Sequence, residues 1–354
     1  MSILIFLIIL VVLIVVHEFG HFSIAKWAKV GVDEFAIGFP PRLWGKKKGE
    51  TVYAINALPI GGYVKICGED GASPNDPRSL ASRPRLIQAA VLSGGVLCNV
   101  LLGWALISLG LMLGLPISDT AVPEPYTLAH PATVITSVSA NSPAKTAGIL
   151  AGDKIISVNT MRDPSISDVQ RIVKDSAGGV EFIVSREKTE HSITITPEGE
   201  TGKERTVGIS LDRIGTLKLS FPNAIVSGFS MTTRLIWSTF SALLYIVQSL
   251  FSGTSTALDS VTGPVGLVGL VGTARGMGII YLLSLTAIIS VNLAVVNLLP
   301  FPALDGGRLL VLAVEGILRR PLPRRATEML HMAGFAVLIC IMVLITIRDI
   351  HNLF

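Results

Sequence analysis

The chain has 354 residues, half of them hydrophobic and only 15% charged, a balance that excludes a soluble domain with an ordinary polar shell. Its net charge of +4 is small for the length and comes without a basic, aromatic-interleaved stripe, which excludes nucleic acid as a partner. Cys67, Cys98 and Cys340 lie far apart and form neither a disulfide framework nor a metal-spaced pair.

The first element, residues 1–25, is an apolar run from Ile3 to Ala25 that carries His17-Glu18-Phe-Gly-His21. On a helix, positions i and i+4 share a face, so both imidazoles can reach one metal ion with Glu18 beside it, the H-E-x-x-H arrangement of zinc peptidases. A signal peptide needs a basic start and a small-residue cleavage site, and neither is present. Ionisable groups inside a membrane span are costly and mark function.

Residues 26–85 are basic, with Lys26, Lys29, Arg42, Lys46, Lys47 and Lys48 early on, and this places them on the cytoplasmic side. Within them, Thr51–Ile66 reads as a hairpin folded at Pro59, Gly61 and Gly62, with an apolar tip that dips back toward the membrane. A second span covers 86–115 and contains Gly94, Gly95 and Asn99. The glycines suit close helix packing, whereas Asn99 needs a partner on another helix or on a substrate backbone.

Charge returns in residues 130–198, where short β-rich runs at 134–138, 154–158, 180–185 and 191–196 alternate with turns. A helix is predicted over 167–175 with Ser167 as its cap. The stretch Ala147-Gly148…Gly152-Asp153, followed by Ile-x-x-Val-Asn159, resembles a PDZ domain of the bacterial type. Such domains bind extended peptides at a sheet edge, although one that only blocks access sterically fits the residues equally well.

Residues 221–275 are expected to form amphipathic helices lying in the outer membrane interface. Parity requires 221–253 not to cross, because Asp305 would otherwise fall on the opposite side from the histidines. The third span, 276–304, carries Asn292 and Asn297 and is broken by Pro300 and Pro302. Two histidines are one protein ligand short of a catalytic set, and Asp305 stands at the cytoplasmic edge to complete it. A cytoplasmic loop, 305–330, and a fourth span, 331–349, close the chain. The expected fold is a polytopic α-helical membrane protein with four transmembrane helices, a membrane-associated β-hairpin and an inserted extracytoplasmic α+β PDZ domain.

The His17-Glu-Phe-Gly-His21, Gly95-x-x-x-Asn99 and Asn297-Leu-Leu-Pro-Phe-Pro-Ala-Leu-Asp305-Gly-Gly motifs, with a PDZ-like insert between the last two, resemble the site-2 protease family of intramembrane zinc metalloproteases. The resemblance covers nearly the whole chain. It implies Zn2+ held by His17, His21 and Asp305, with Glu18 as catalytic acid/base. It also implies that Asn292 and Asn297 hold the substrate backbone and that the hairpin pairs with the substrate as an extended strand, so that Gly61, Gly62 and Asn99 join the candidate substrate contacts. The helices after the PDZ domain would act as a gate. The implied setting is the bacterial cytoplasmic (inner) membrane, with both termini and the PDZ domain outside and the active site near the cytoplasm. The implied partners are membrane lipid, a single-span substrate such as an anti-sigma factor or a signal-peptide remnant, and a peptide ligand of the PDZ domain. One departure stands out: well-known members carry two tandem PDZ domains, and this chain has room for one. On the residues alone, a non-cutting zinc scaffold or an ion transporter stays open. A scaffold has no use for Glu18, and a transporter has none for a PDZ domain.

Overall fold

The computed structural model describes residues 1–69, 75–139, 141–186, 189–199, 205–252, 262–320 and 322–351. The chain divides into two compact units, Met1–Ser108 with Gly228–Phe354, and Leu109–Ser227. Among the described residues, four helices are long and apolar enough to cross a membrane, as the sequence leads one to expect.

The first unit begins with α1 (Ser2–Trp27), 26 residues or about 39 Å of helix, more than a bilayer core requires. Two long strands follow, β1 (Val32–Lys48) and β2 (Thr51–Ile66), joined at Gly49, whose φ of +65° suits the turn. Here the structure corrects the expected hairpin. The two runs of Thr51–Ile66 do not pair with each other, because residues 32–37 run between them: Ala36 faces both Ala54 and Tyr63, and Phe35 faces both Tyr53 and Val64. The Pro59–Gly62 reversal therefore lets β2 flank residues 32–37 on both sides, β1 bends in turn so that residues 42–48 pair with the far side of 51–56, and residues 62–66 form an outer edge of this ladder. Phe22 of α1 packs edge-on against Phe35 and Tyr53, and Ala25, Val30, Val32, Ile66, Leu80 and Val91 close a small core beneath them. α2 (Arg85–Leu113) is the second candidate span.

The second unit is a sheet with two helices. Its strands are β3 (Leu115–Ser118), β4 (Ala129–Val138), β5 (Lys154–Val158), β6 (Met161–Arg162), β7 (Val180–Arg186), β8 (Thr189–Ile195) and β9 (Ile209–Leu217), ordered β3-β9-β4-β5-β7-β8 with β6 on β5. The short α3 (Pro143–Thr146) and the longer α4 (Ile166–Asp175) complete it, around a core of Ile135, Ile149, Ile155, Val169, Phe182 and Val184. Ser165, not Ser167, caps α4: its hydroxyl accepts from Asp168 N while Asp168 accepts from Ser165 N, a reciprocal box. Asp153, buried in the Gly152-Asp153 turn, is gripped by Arg186 through Nε at 2.8 Å and Nη2 at 2.7 Å. β3 pairs β9 only from Ile214 to Leu217, so Ile209–Arg213 has no strand on that side among the described residues. A groove of about 310 Å³, lined by Val169 and Val173 of α4 and by Ile209 and Leu211, runs there.

Back in the first unit come α5 (Phe221–Phe251), α6 (Pro264–Met277), α7 (Ile279–Asn297), α8 (Asp305–Leu318) and α9 (Arg324–His351). α7 and α9 are the remaining candidate spans, and α5 is not among the four. Gly253, the expected end of the 221–253 element, lies outside the described residues. α7 stops short of Pro300 and Pro302, Ala303 takes a φ of +79°, and α8 starts at Asp305. His331 of α9 accepts from Ala303 N at 3.0 Å and so fixes this link. Arg85 of α2 donates to Glu315 O and Gly316 O, which satisfies carbonyls in the last turn of α8.

Candidate metal centre

Two elements bring the three ligand atoms together. His17 and His21 stand one turn apart on α1, and Asp305 enters at the first residue of α8. Asp305 Oδ2 lies 3.0 Å from His17 Nε2 and 3.3 Å from His21 Nε2, and the two Nε2 atoms are 3.2 Å apart. Ligands about 2.0–2.1 Å from a tetrahedral zinc are separated by roughly 3.3 Å, so the triangle is the size such an ion needs. Asp305 Oδ2 is buried and takes no well-aimed hydrogen bond, which a divalent cation among the three atoms would remedy. Among the described residues this is the one cluster of metal-ligating side chains.

The histidine rings are held from behind. His21 Nδ1 lies 2.8 Å from Val91 O, and donating there leaves Nε2 free to ligate. His17 Nδ1 faces the side-chain amide of Asn99, 3.3 Å from Nδ2, while the buried Asn99 Oδ1 has no partner. Rotating the amide by 180° brings Oδ1 to accept from His17 Nδ1–H, the tautomer that ligation through Nε2 requires. Asn99 is fully buried, and its backbone carbonyl accepts from Ser290 of α7 at 2.8 Å. The side chain thus meets α1 and the backbone carbonyl meets α7.

Glycines let α1 and α2 come this close. A Cβ on Gly95 would lie 2.5 Å from both His17 Cε1 and His21 Nε2, and one on Gly94 would lie 2.6 Å from Gly20 O. The Gly-x-x-x-Asn spacing thus places the bare turn against the rings and Asn99 one turn further along.

Glu18 points toward the hairpin, where its Oε2 accepts from Val64 N at 3.0 Å on the 62–66 edge. Gly61 and Gly62 serve the hairpin's own packing, since a Cβ would lie 2.7 Å from the Phe39 ring at the first and 2.8 Å from Ala36 O at the second. Asn292, in mid-α7, accepts from Thr239 of α5 at 2.7 Å, and Asn297 sits half-buried at the end of α7. Sequence reasoning did not find Val64 and Val91, which act through backbone atoms, nor Thr239. Gly20 lay inside the H-E-x-x-H pattern and was readable there as a contact glycine.

The sequence profile of peptidase family M50 matches residues 5–341. The zinc metalloprotease RasP of Geobacillus kaustophilus is 28% identical over 433 aligned residues, covering 100% of this chain and 98% of that one. The probable protease eep of Enterococcus faecalis is 28% identical over 439, covering 100% and 99%. A Clostridium perfringens protein, named as a candidate zinc metalloprotease, is 35% identical over 339, covering 96% and 95%.

Proposed function

The chain belongs to peptidase family M50, the site-2 protease family, and from that premise we propose that it is a zinc endopeptidase that cuts single-span membrane proteins within or beside their transmembrane segment. The observation that carries this reading is the meeting of His17, His21 and Asp305 at ligand spacing, on and beside candidate membrane helices, with Glu18 next to them. Those three side chains hold the zinc. When bound, zinc supplies Lewis acidity, lowering the pKa of a water to about 7 and polarising a peptide carbonyl. Glu18 moves the proton. With Oε2 engaged by Val64 N–H, Oε1 is free to take a proton from the attacking water and pass it to the leaving amine.

A helical substrate hides its carbonyls in internal hydrogen bonds, so it must unwind locally before it is cut. Each freed backbone group costs several kcal/mol in lipid unless another partner takes it. In this reading the 62–66 edge, Asn292 and Asn297 take these groups, and the exposed Phe39, Leu43 and Leu58 dip the hairpin into the membrane. The second unit acts as an extracytoplasmic PDZ domain. The unpaired Ile209–Arg213 edge and the adjoining groove support strand-like capture of a peptide there. Residues 26–85 and 305–330 face the cytoplasm of a bacterial inner membrane and α6 lies in the outer interface, whereas α5, expected there too, inclines inward far enough for Thr239 to meet Asn292 of α7. The substrates are stumps already shortened on the outer side, such as anti-sigma factors or signal-peptide remnants.

Cleavage of a single-span substrate by the purified protein in detergent tests this, beside Glu18→Gln and beside chelator-treated protein. Loss in both, with zinc restoring only the chelated sample, is expected. Equal cutting by Glu18→Gln would leave a peptide-binding scaffold instead. Grafting a large folded domain onto the substrate's outer side should stop cleavage, and unimpeded cleavage would remove the size-filter role.

A further inference from the structure

The end of the β1–β2 hairpin farthest from its bent tips carries charge that the rest of the site does not use. Lys46, Lys47 and Lys48 are consecutive, exposed, and make no ion pair among the described residues. The nearby acids are already engaged: Glu50 accepts from Lys26 at 2.6 Å, and Glu34 pairs with Arg42. These lysines line a cavity of about 390 Å³ together with Trp44 and Tyr53. The ladder register explains the grouping. Lys46 faces Tyr53 and Trp44 faces Ile55, and directly opposed residues in a ladder share a face, which Lys48 joins two residues on while Lys47, opposite Val52, borders it from the other side. One face therefore grades from Ile55 and Trp44, both about half exposed, through Tyr53 to bare ammonium groups. That sequence of apolar, aromatic and cationic groups matches the layers of a membrane interface, where aromatic rings sit at headgroup depth and lysines meet anionic lipid.

We propose that this face is a binding site for anionic phospholipid headgroups of the cytoplasmic leaflet. The lysines take the phosphate, and Trp44 and Ile55 take the glycerol and upper acyl region. The choice of leaflet rests on the orientation proposed above. The site has a consequence for the enzyme, because the same hairpin donates Val64 N–H to Glu18. A bound headgroup steadies the strand that positions the catalytic carboxylate, so anionic lipid raises turnover.

The test titrates the full-length protein with phosphatidylglycerol and with phosphatidylcholine in detergent and counts bound lipid by native mass spectrometry. Wild type should retain phosphatidylglycerol in preference. Lys46→Gln/Lys47→Gln/Lys48→Gln should lower that preference about a hundredfold at low salt, and less as salt rises. The matching triple arginine variant keeps the charge and should keep the preference, and Glu18→Gln should bind lipid like wild type, which separates this proposal from the peptidase reading. Equal retention of both lipids by wild type, an unchanged preference in the glutamine variant, or full competition by soluble glycerophosphate would each overturn it. In nanodiscs, wild type should cleave faster with phosphatidylglycerol present and the glutamine variant should not respond. A response of equal size in both would overturn the link to turnover.

Discussion

Val64 donates its backbone N–H to Glu18 Oε2 at 3.0 Å, so the outer edge of a β-ladder and the acid of the H-E-x-x-H helix are joined by one hydrogen bond. A bond to a charged acceptor contributes about 1.5–3 kcal/mol. Replacing the residue 64 amide with an ester should lower kcat roughly ten- to a hundredfold while zinc content and KM stay near wild type. Val64→Ala, which keeps the N–H, should be nearly silent. An ester variant as fast as wild type would show that α1 alone orients Glu18.

Gly95 tests whether the histidine pair depends on a bare helix surface. A methyl group there would stand 2.5 Å from both rings, on a backbone that Gly20 and Gly94 already hold tight against α1. The rings must move, and ligand atoms displaced by a few tenths of an ångström no longer fit one ion. Gly95→Ala should lose bound zinc and activity together. Gly269→Ala is the control, since open space surrounds that position. Zinc retained at full occupancy in Gly95→Ala would mean that α1 and α2 separate more easily than their packing implies.

Much of this centre could be read from the chain because its chemistry conflicts with its surroundings. His17, Glu18 and His21 stand out within an apolar run, and Asp305 follows two prolines that end a span. The parts that escaped notice have no side-chain signature: Val64 acts through its N–H and Val91 through its carbonyl. The hairpin was misread for a related reason. Pro59, Gly61 and Gly62 do reverse the chain, but residues 32–37, with Asp33 and Glu34 among them, do not advertise themselves as the strand that fills the gap. For the α4 cap, Ser165 and Ser167 look alike until Asp168 is counted three residues after the first.

Asn99 is expected to act on the metal rather than on the substrate. Asn99→Leu keeps much of the volume but leaves His17 Nδ1–H without an acceptor, and losing such a support typically costs ten- to a hundredfold in metal affinity. Chelator competition should show that weakening, and saturating zinc should restore most of the activity. If zinc bound as tightly as in wild type while KM rose, Asn99 would belong to the substrate after all.

Asn297 should behave in the opposite way. It lies at the end of α7, outside the ligand triangle, where its amide can take a backbone group released when a substrate helix unwinds. An unmade hydrogen bond at that depth costs about 1–3 kcal/mol, so Asn297→Ala should lower kcat/KM roughly ten- to a hundredfold at unchanged zinc content. Asn292 differs because Thr239 already donates to its Oδ1, so that oxygen is fully open to a substrate N–H only once α5 releases the bond. Asn292→Ala should therefore show a smaller loss than Asn297→Ala in wild type and a larger one in a Thr239→Val background, where the amide is free. Equal losses in both backgrounds would show that Thr239 does not compete for Asn292. A loss of zinc in step with activity in Asn297→Ala would make that residue part of the framework of the centre.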